Sequence, residues 1–276
     1  MQTGVFAAAT ALLLEADPVN KCDGVARLAA AVRAGRAGWD DNTPVPAVEA
    51  AGRPQRPRLV PAADVPRRRL GSHGGRLALI HAIAHIEFNA INLALDAVCR
   101  FRSMPKDYYR DWIGVAADEA RHFTMLARRM VALGAAYGDY PAHDGLWEMA
   151  IKTADSCLVR MALVPRVLEA RGLDVTPGMI ARLSAAGDEP SAALLEIILA
   201  EEIAHVATGT RWFRHCCEQQ GLDPEAAFLH LIDTRFSGSI RGPFNLPARL
   251  EAGFTAGEMA GLGRTIDGAA LGSAEK

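Results

Sequence analysis

Two Glu-x-x-His pairs in the 276-residue sequence have the spacing of a metal-binding motif. Glu119 precedes His122 in the first pair, and Glu202 precedes His205 in the second. Residues i and i+3 share one face of an α-helix, so each pair can direct a carboxylate and an imidazole toward the same ion. One such pair arises readily by chance. Two pairs, both within apolar helical segments, indicate a metal site.

A single glutamate precedes each pair by nearly the same step. Glu87 lies 32 residues before Glu119, and Glu169 lies 33 residues before Glu202. This near-repeat predicts a pseudo-twofold arrangement in which four helices direct ligands to one centre. Four carboxylates and two imidazoles form the dinuclear iron or manganese sites of helical bundles. We therefore predict that two iron ions, or manganese in their place, are bound by Glu87, Glu119, His122, Glu169, Glu202 and His205.

The cost of burying charge favours a metal site over a purely structural role for these residues. An unpaired carboxylate costs several kcal/mol when it is moved from water into an apolar interior. Four glutamates at the centre of a bundle would therefore be unfavourable without cations. Hard Fe(III) and manganese ions prefer carboxylate oxygens, and imidazole suits Fe(II).

Neighbouring polar residues could support the ligands. A metal-bound histidine usually donates its second N–H to a carboxylate. Asp118 and Glu201 each precede a ligand glutamate and could accept this bond from the histidine of the opposite helix, with Arg121 holding Asp118. His85 is close to Glu87 in sequence but lies on another helical face. It could support the site, belong to the core or act as an additional metal ligand.

Four long helices are needed to position these residues. Capping and breaking signals predict them over residues 72–101, 103–134, 144–171 and 191–221, with a short helix at 176–187. We expect Pro165 to kink the third helix and Gly172 to end it, which places Glu169 near a helix end. The ten-residue connection after the second helix can extend over roughly 33 Å, enough for a long crossover. No alternating apolar pattern predicts a sheet, so the fold class is all-α, with a ferritin-like four-helix bundle.

The sequence divides into three predicted regions. Residues 1–71 combine an Ala-rich helical segment, 2–37, with an extended arm rich in proline and arginine. Residues 72–221 form the bundle, and residues 222–276 form a short helix and an irregular tail. We expect the arm to pack on the main domain and its arginines to pair with acidic groups there. Binding of phosphate or nucleic acid is the alternative.

Composition limits the classes of partner and the compartment. Thirty Lys and Arg against 32 Asp and Glu give a formal charge of −2, which argues against a dedicated nucleic-acid binder. No eighteen-residue stretch lacks charge, so we expect no membrane span. Five cysteines without a Cys-x-x-Cys motif indicate a reducing compartment and a cytoplasmic protein. We interpret the vicinal Cys216 and Cys217 as small buried fillers rather than a redox pair.

The segment Asp118-Glu119-Ala120-Arg121-His122 resembles the Asp-Glu-x-Arg-His signature of the ferritin-like di-iron carboxylate superfamily. The chain is more closely similar to the bacterial family catalogued as domain of unknown function 455, over roughly residues 20–255. That resemblance implies a ferritin-like fold and the same six ligands, but no substrate. It is carried by Pro66 to Gly71, His81 to Glu87, Glu169 to Pro177, and Gly242 to Asn245 with Ala248 and Arg249.

The ligand set predicts an oxidoreductase that reduces O₂ and oxidises a small organic substrate, with an external electron donor. Three alternatives stay open. One is a tRNA hydroxylase-like monooxygenase, another is a ferroxidase or iron-handling protein, and the third is a helical protein whose polar cluster is structural. The long arm and tail disfavour a ferritin cage, and a homodimer remains open.

Overall fold

The computed structural model describes residues 4–39, 44, 48–65 and 70–263. These residues form helices and irregular segments, and the β-structure among them is limited to two isolated bridges, Gly4–Gly38 and Leu59–Ala142. The predicted all-α class is therefore confirmed. The chain divides into two compact units, Met1–Lys152 with Arg182–Leu194, and Thr153–Ala181 with Leu195–Lys276.

The first unit is built on two long helices. Its helices are α1 (Val5–Leu14), α2 (Pro18–Arg33), α3 (His73–Arg100), α4 (Lys106–Ala132) and α5 (Gly145–Lys152). Helix α3 packs along α4, while α1 packs on α3 and α2 on α4. The Ser72 side chain caps α3 as predicted, accepting a hydrogen bond from the Gly75 N–H at 3.1 Å.

The N-terminal helical segment is divided into α1 and α2. Asp17 is the N-cap of α2, and its carboxylate accepts the Asn20 N–H at 2.9 Å. Pro18 follows at the first helical position, where its missing N–H costs no bond. These two residues begin a new helix, so 2–37 is not one continuous helix.

The described part of the arm is irregular, as expected, apart from a 3₁₀ turn at Ala62–Asp64. It is fixed to the first unit by polar contacts. The Trp147 indole donates to the Glu49 carbonyl at 2.9 Å, and the Gly52 N–H donates to the Leu13 carbonyl at 2.8 Å. Pro66, Arg67, Arg68 and Arg69 lie outside the described residues.

The second unit contains a long helical stretch whose helices begin and end at other residues than predicted. Helix α6 (Cys157–Leu163) continues through a π-helical segment, Val164–Glu169, into α7 (Ala170–Ala185). Then follow α8 (Glu189–Gln219), α9 (Pro224–Arg235) and α10 (Leu246–Glu251), and residues 256–263 are also helical. The tail is thus more helical than predicted.

The third predicted helix, 144–171, begins where expected, since α5 starts at Gly145, but its middle and its end differ from the prediction. It is interrupted between Lys152 and Cys157, where the Ser156 hydroxyl caps α6 by accepting the Val159 N–H at 3.3 Å. It does not end at Gly172, and the short helix predicted at 176–187 is the second part of α7. Glycine inside a helix costs only about 1 kcal/mol, which tertiary contacts can offset.

A distant side chain explains why α7 continues through Pro177. Proline lacks the N–H that would bond to the Leu173 carbonyl four residues earlier. In its place, the Asn245 side-chain amide donates to that carbonyl at 3.1 Å. Arg249 supports the same stretch, since its guanidinium bonds to both oxygens of Asp174, at 2.9 and 2.7 Å.

Helix α3 is the only helix in the described part of the chain that is long and apolar enough to cross a membrane. Its most apolar window has a mean hydropathy of 1.4, and 78% of that window is buried within the fold. Such burial is typical of a core helix, which passes the same test of length and composition.

Candidate metal site

Three of the six predicted ligands meet inside the first unit. Glu87 comes from α3, and Glu119 and His122 come from α4. The Nδ1 atom of His122 lies 3.1 Å from a Glu87 carboxylate oxygen and 3.6 Å from a Glu119 oxygen. All three side chains are buried, and each offers a ligand atom within 4.8 Å of those of the other two. This cluster could bind a metal ion.

The amphipathic pattern of α4 turns these residues inward. Its buried residues recur every three or four positions, while the intervening residues Asp118 and Arg121 are about half exposed. Glu119 and His122 therefore replace apolar residues on the buried face. Buried apolar residues near the pair on this helix include Val115, Ala116, Ala120, Phe123 and Leu126.

Charge compensation in this cluster depends on His122. Burial by itself would lower the pKa of this imidazole, but hydrogen bonds and charge from Glu119 and Glu87 raise it to about 10. At neutral pH the imidazole is therefore protonated and offsets part of the carboxylate charge. Metal ligands must be deprotonated, so an ion bound here would displace this proton. Two carboxylates and an imidazole are a suitable donor set for iron or manganese.

The other three predicted ligands belong to the second unit. Glu202 and His205 lie one turn apart on α8, with 3.3 Å between a Glu202 oxygen and His205 Nδ1. His205 is buried and the Glu202 side chain is 13% exposed. Glu202 is also a residue that could bind a metal ion. Each unit therefore holds one Glu-x-x-His pair on a long helix and one glutamate from another helical segment.

Glu169 is the last residue of the π-helical segment rather than the end of a helix. Pro165 begins this irregularity, at the place where we predicted a kink. Gly209 of α8 accommodates it, because a Cβ there would lie 2.3 Å from the Pro165 ring. π-Helical turns are uncommon and often occur at functional sites, since they change the direction of the following side chains.

The residues predicted to support the ligands have different surroundings. Asp118 and Arg121 form an ion pair of 3.3 Å on the half-exposed face of α4. This agrees with the prediction that Arg121 holds Asp118. Glu201 is half-buried on α8. Their bonding to a ligand histidine stays a prediction.

His85 belongs to a buried network with the loop that follows α4. Its Nδ1 lies 2.9 Å from the Tyr137 hydroxyl, and its Nε2 lies 3.2 Å from the His143 carbonyl. Burial lowers the pKa of His85 to about 4, so the imidazole is neutral and can accept one bond while it donates the other. The ring of Tyr137 contacts Phe88 and Phe123, the sequence neighbours of Glu87 and His122. Sequence reasoning assigned Tyr137 no role, because a loop residue carries no periodic signal.

Comparison with known proteins identifies the family of this chain. The family described as "Protein of unknown function (DUF455)" matches residues 14–260. The chain belongs to the DUF455 family. An uncharacterized protein of Haemophilus influenzae is 43% identical over 222 residues, which cover 78% of this chain and 77% of that protein. No solved structure matches the chain.

The DUF455 match spans both units and all six predicted ligands. Two of the segments on which the resemblance rested are in contact within the second unit. Asn245 and Arg249 from one of them bond to Leu173 and Asp174 of the other. Those segments therefore support α7, which directly follows Glu169.

Proposed function

We propose that this DUF455 protein is a ferritin-like dinuclear metal enzyme, an oxidoreductase that uses O₂ to oxidise a small organic substrate. The observation that carries the proposal is the buried cluster of Glu87, Glu119 and His122. The proposal also assigns Glu169, Glu202 and His205 as metal ligands. An external electron donor completes the reaction.

Charge supports this assignment. Four glutamates carry four negative charges, and two divalent cations would neutralise them. Burial of carboxylates is favourable only when cations compensate them at close range. The first unit supplies one titratable imidazole for two buried glutamates, a partial compensation that a metal ion would complete.

Bound iron or manganese would supply the redox chemistry for O₂ reduction. The chain's own residues provide the surroundings. Glu87 and Glu119 would hold the cations, and His122 would give up its Nδ1 proton if an ion bound. Phe88 and Phe123, which are buried next to these ligands, exclude water from the cluster.

The test is oxygen uptake by protein loaded anaerobically with ferrous iron. We expect O₂ consumption together with a new near-ultraviolet absorption band. The Glu119→Gln variant should lose both, whereas Asp107→Asn, which changes an exposed carboxylate at the start of α4, should keep them. A wild-type chain that takes up iron but consumes no O₂ would overturn the enzymatic proposal and leave only metal binding.

A further inference from the structure

The second unit contains a cavity that the proposed metal chemistry does not use. Its volume is about 730 Å³, and it lies between the C-terminal half of α8, the first residue of α9 and the residues that end and follow α10. All the residues that line it belong to the second unit. A cavity of this size is typical of a small-molecule site.

One face of α8 brings three basic side chains to this cavity. Arg211, Arg214 and His215 line it, with the i, i+3 and i+4 spacing of residues on the same side of a helix. Arg214 is held in position, because its Nη2 atom donates to the Gly253 carbonyl at 2.6 Å. Among the described residues, no carboxylate forms an ion pair with Arg214. A guanidinium has five N–H donors, so Arg214 can bond to a ligand as well.

A buried hydroxyl one turn before Arg214 lacks a hydrogen-bond partner. Thr210 lines the same cavity and is 2% exposed, and its Oγ1 has no partner among the described residues. An unsatisfied buried hydroxyl is unfavourable. Gly253 forms the wall next to it, since a Cβ there would lie 3.0 Å from the Thr210 methyl carbon. An acceptor atom of a ligand would supply the missing partner of the hydroxyl.

The other walls limit the kind of ligand. Ligand sites combine apolar surface with a few placed polar groups. The apolar surface here comes from Ala207, Trp212, Pro224 and Ala252. Glu218 and Glu251 also line the cavity, at exposed positions. Their charges balance those of the two arginines, so a ligand with many negative charges gains no net attraction.

We propose that this cavity binds a small organic anion, with a single carboxylate or phosphate group on an apolar body. The acidic group accepts hydrogen bonds from the Arg214 guanidinium and the Thr210 hydroxyl. The apolar body lies against Trp212. Arg211, whose guanidinium is 5.3 Å from the Trp212 ring centroid, adds positive charge beside this wall.

This site is separate from the proposed metal centre. Arg214 follows His205 by nine residues on α8, which turns it by about 180° around the helix at 3.6 residues per turn. The cavity therefore lies on the opposite side of α8 from the Glu202–His205 pair. The Glu119→Gln variant should bind the anion as wild type does, so failure of either proposal can be distinguished from failure of the other.

Isothermal titration calorimetry of the full-length chain with benzoate and with phenyl phosphate tests the proposal. Both probes carry one acidic group on the same ring, and we expect at least one of them to bind. Binding of benzoate alone assigns a carboxylate ligand, and binding of phenyl phosphate alone assigns a phosphate. Benzyl alcohol, which has the ring without the acidic group, should bind at least about tenfold more weakly. Tripolyphosphate, which carries many charges, should not bind.

Variants locate the binding in this cavity. Arg214→Met should weaken binding of the probe by roughly tenfold or more, because a hydrogen bond to a charged group is lost. The matched control is Arg235→Met, which removes an arginine of the same unit that pairs with Asp155 and does not line the cavity. It should bind as wild type does. Circular dichroism like that of wild type shows that each variant folds.

Thr210→Val separates a ligand-binding hydroxyl from a structural one. It should weaken binding of the probe and leave the melting temperature of the ligand-free chain equal to or above that of wild type, because the hydroxyl has no partner to lose. The proposal is overturned if wild type binds neither acid at millimolar concentration, or if Arg214→Met binds them as tightly as wild type. It is also overturned if benzyl alcohol or tripolyphosphate binds as tightly as the acids.

Discussion

The two compact units bury positive charge with different chemistry. Among the described residues of the first unit, the fully buried cationic side chains are Lys21 and His122, which can lose a proton. In the second unit they are Arg160, Arg166 and Arg249, which are charged at every accessible pH. A buried carboxylate beside arginine is permanently compensated. A buried carboxylate beside a titratable group, such as Glu119 beside His122, can exchange a proton for a metal ion.

The arginines of the second unit are held tightly. Arg166 bonds to Glu258 at 2.7 Å, with both side chains at most 2% exposed. Its guanidinium lies 4.0 Å from the Phe228 ring centroid and contacts Phe213 and Phe254 as well. Such contacts add cation–π attraction to the ion pair. We interpret these pairs as structural.

The largest effect on stability should come from Arg166→Met. This change leaves the Glu258 carboxylate buried without its cation, which costs about 3–5 kcal/mol. Chemical denaturation followed by circular dichroism measures the loss. The double variant Arg166→Met with Glu258→Leu should recover most of it, because it removes both charges. A single variant as stable as wild type would show that the pair is not structural.

Unlike Arg166→Met, a substitution at Glu119 should not lower the stability of the metal-free chain. Without metal, Glu119→Gln removes a buried negative charge, so we expect stability equal to or above that of wild type. With ferrous or manganous ion at a hundred times its dissociation constant, wild type should gain about 2.7 kcal/mol and the variant should gain little. Thermal melts with and without metal measure this difference. Equal metal-induced shifts in both proteins would contradict the assignment of Glu119.

A smaller loss is expected for Asn245→Ala, which leaves the Leu173 carbonyl without a donor opposite Pro177. A buried unsatisfied carbonyl costs about 1–3 kcal/mol. Adding Pro177→Ala should restore part of the stability, because alanine supplies the missing N–H within α7 but not the N-cap that the Asn245 side chain gives α10. If the second substitution rescues nothing, the side chain of Asn245 does not replace the helical bond.

The smallest expected effect is the pH dependence of stability that Lys21 contributes. Its ammonium donates to the Gly52 carbonyl at 2.8 Å and to Asn92, and burial lowers the pKa of Lys21 to about 7. The unfolded chain, with an ordinary lysine pKa, binds more protons than the fold above pH 7. Wild-type stability should therefore rise by about 1 kcal/mol between pH 7 and 8 relative to Lys21→Met. Parallel stability curves for the two proteins would show that Lys21 stays charged.

Helix caps and helix ends depend on residues that are close in sequence, and local signals predicted several of them. Ser72 caps α3, and Gly187 and Gly221 adopt the positive φ values of helix ends, 74° and 65°. The predicted end at Gly172 was wrong because the Asn245 side chain, 72 residues after Leu173, donates to the Leu173 carbonyl in place of the N–H that Pro177 lacks. At the candidate site, motif spacing identified Glu87, Glu119 and His122, since helical periodicity places them inward. The contact of His85 with Tyr137 joins distant segments, and no local pattern encodes it.

Metal analysis of the purified chain tests the central claim most directly. Inductively coupled plasma mass spectrometry of wild-type protein, after anaerobic loading with ferrous or manganous ion and desalting, should find two ions per chain. Glu119→Gln should lose them, while Asp107→Asn, at an exposed position of α4, should keep them. Wild-type protein that retains no transition metal, or a Glu119→Gln variant that retains as much as wild type, would contradict the account.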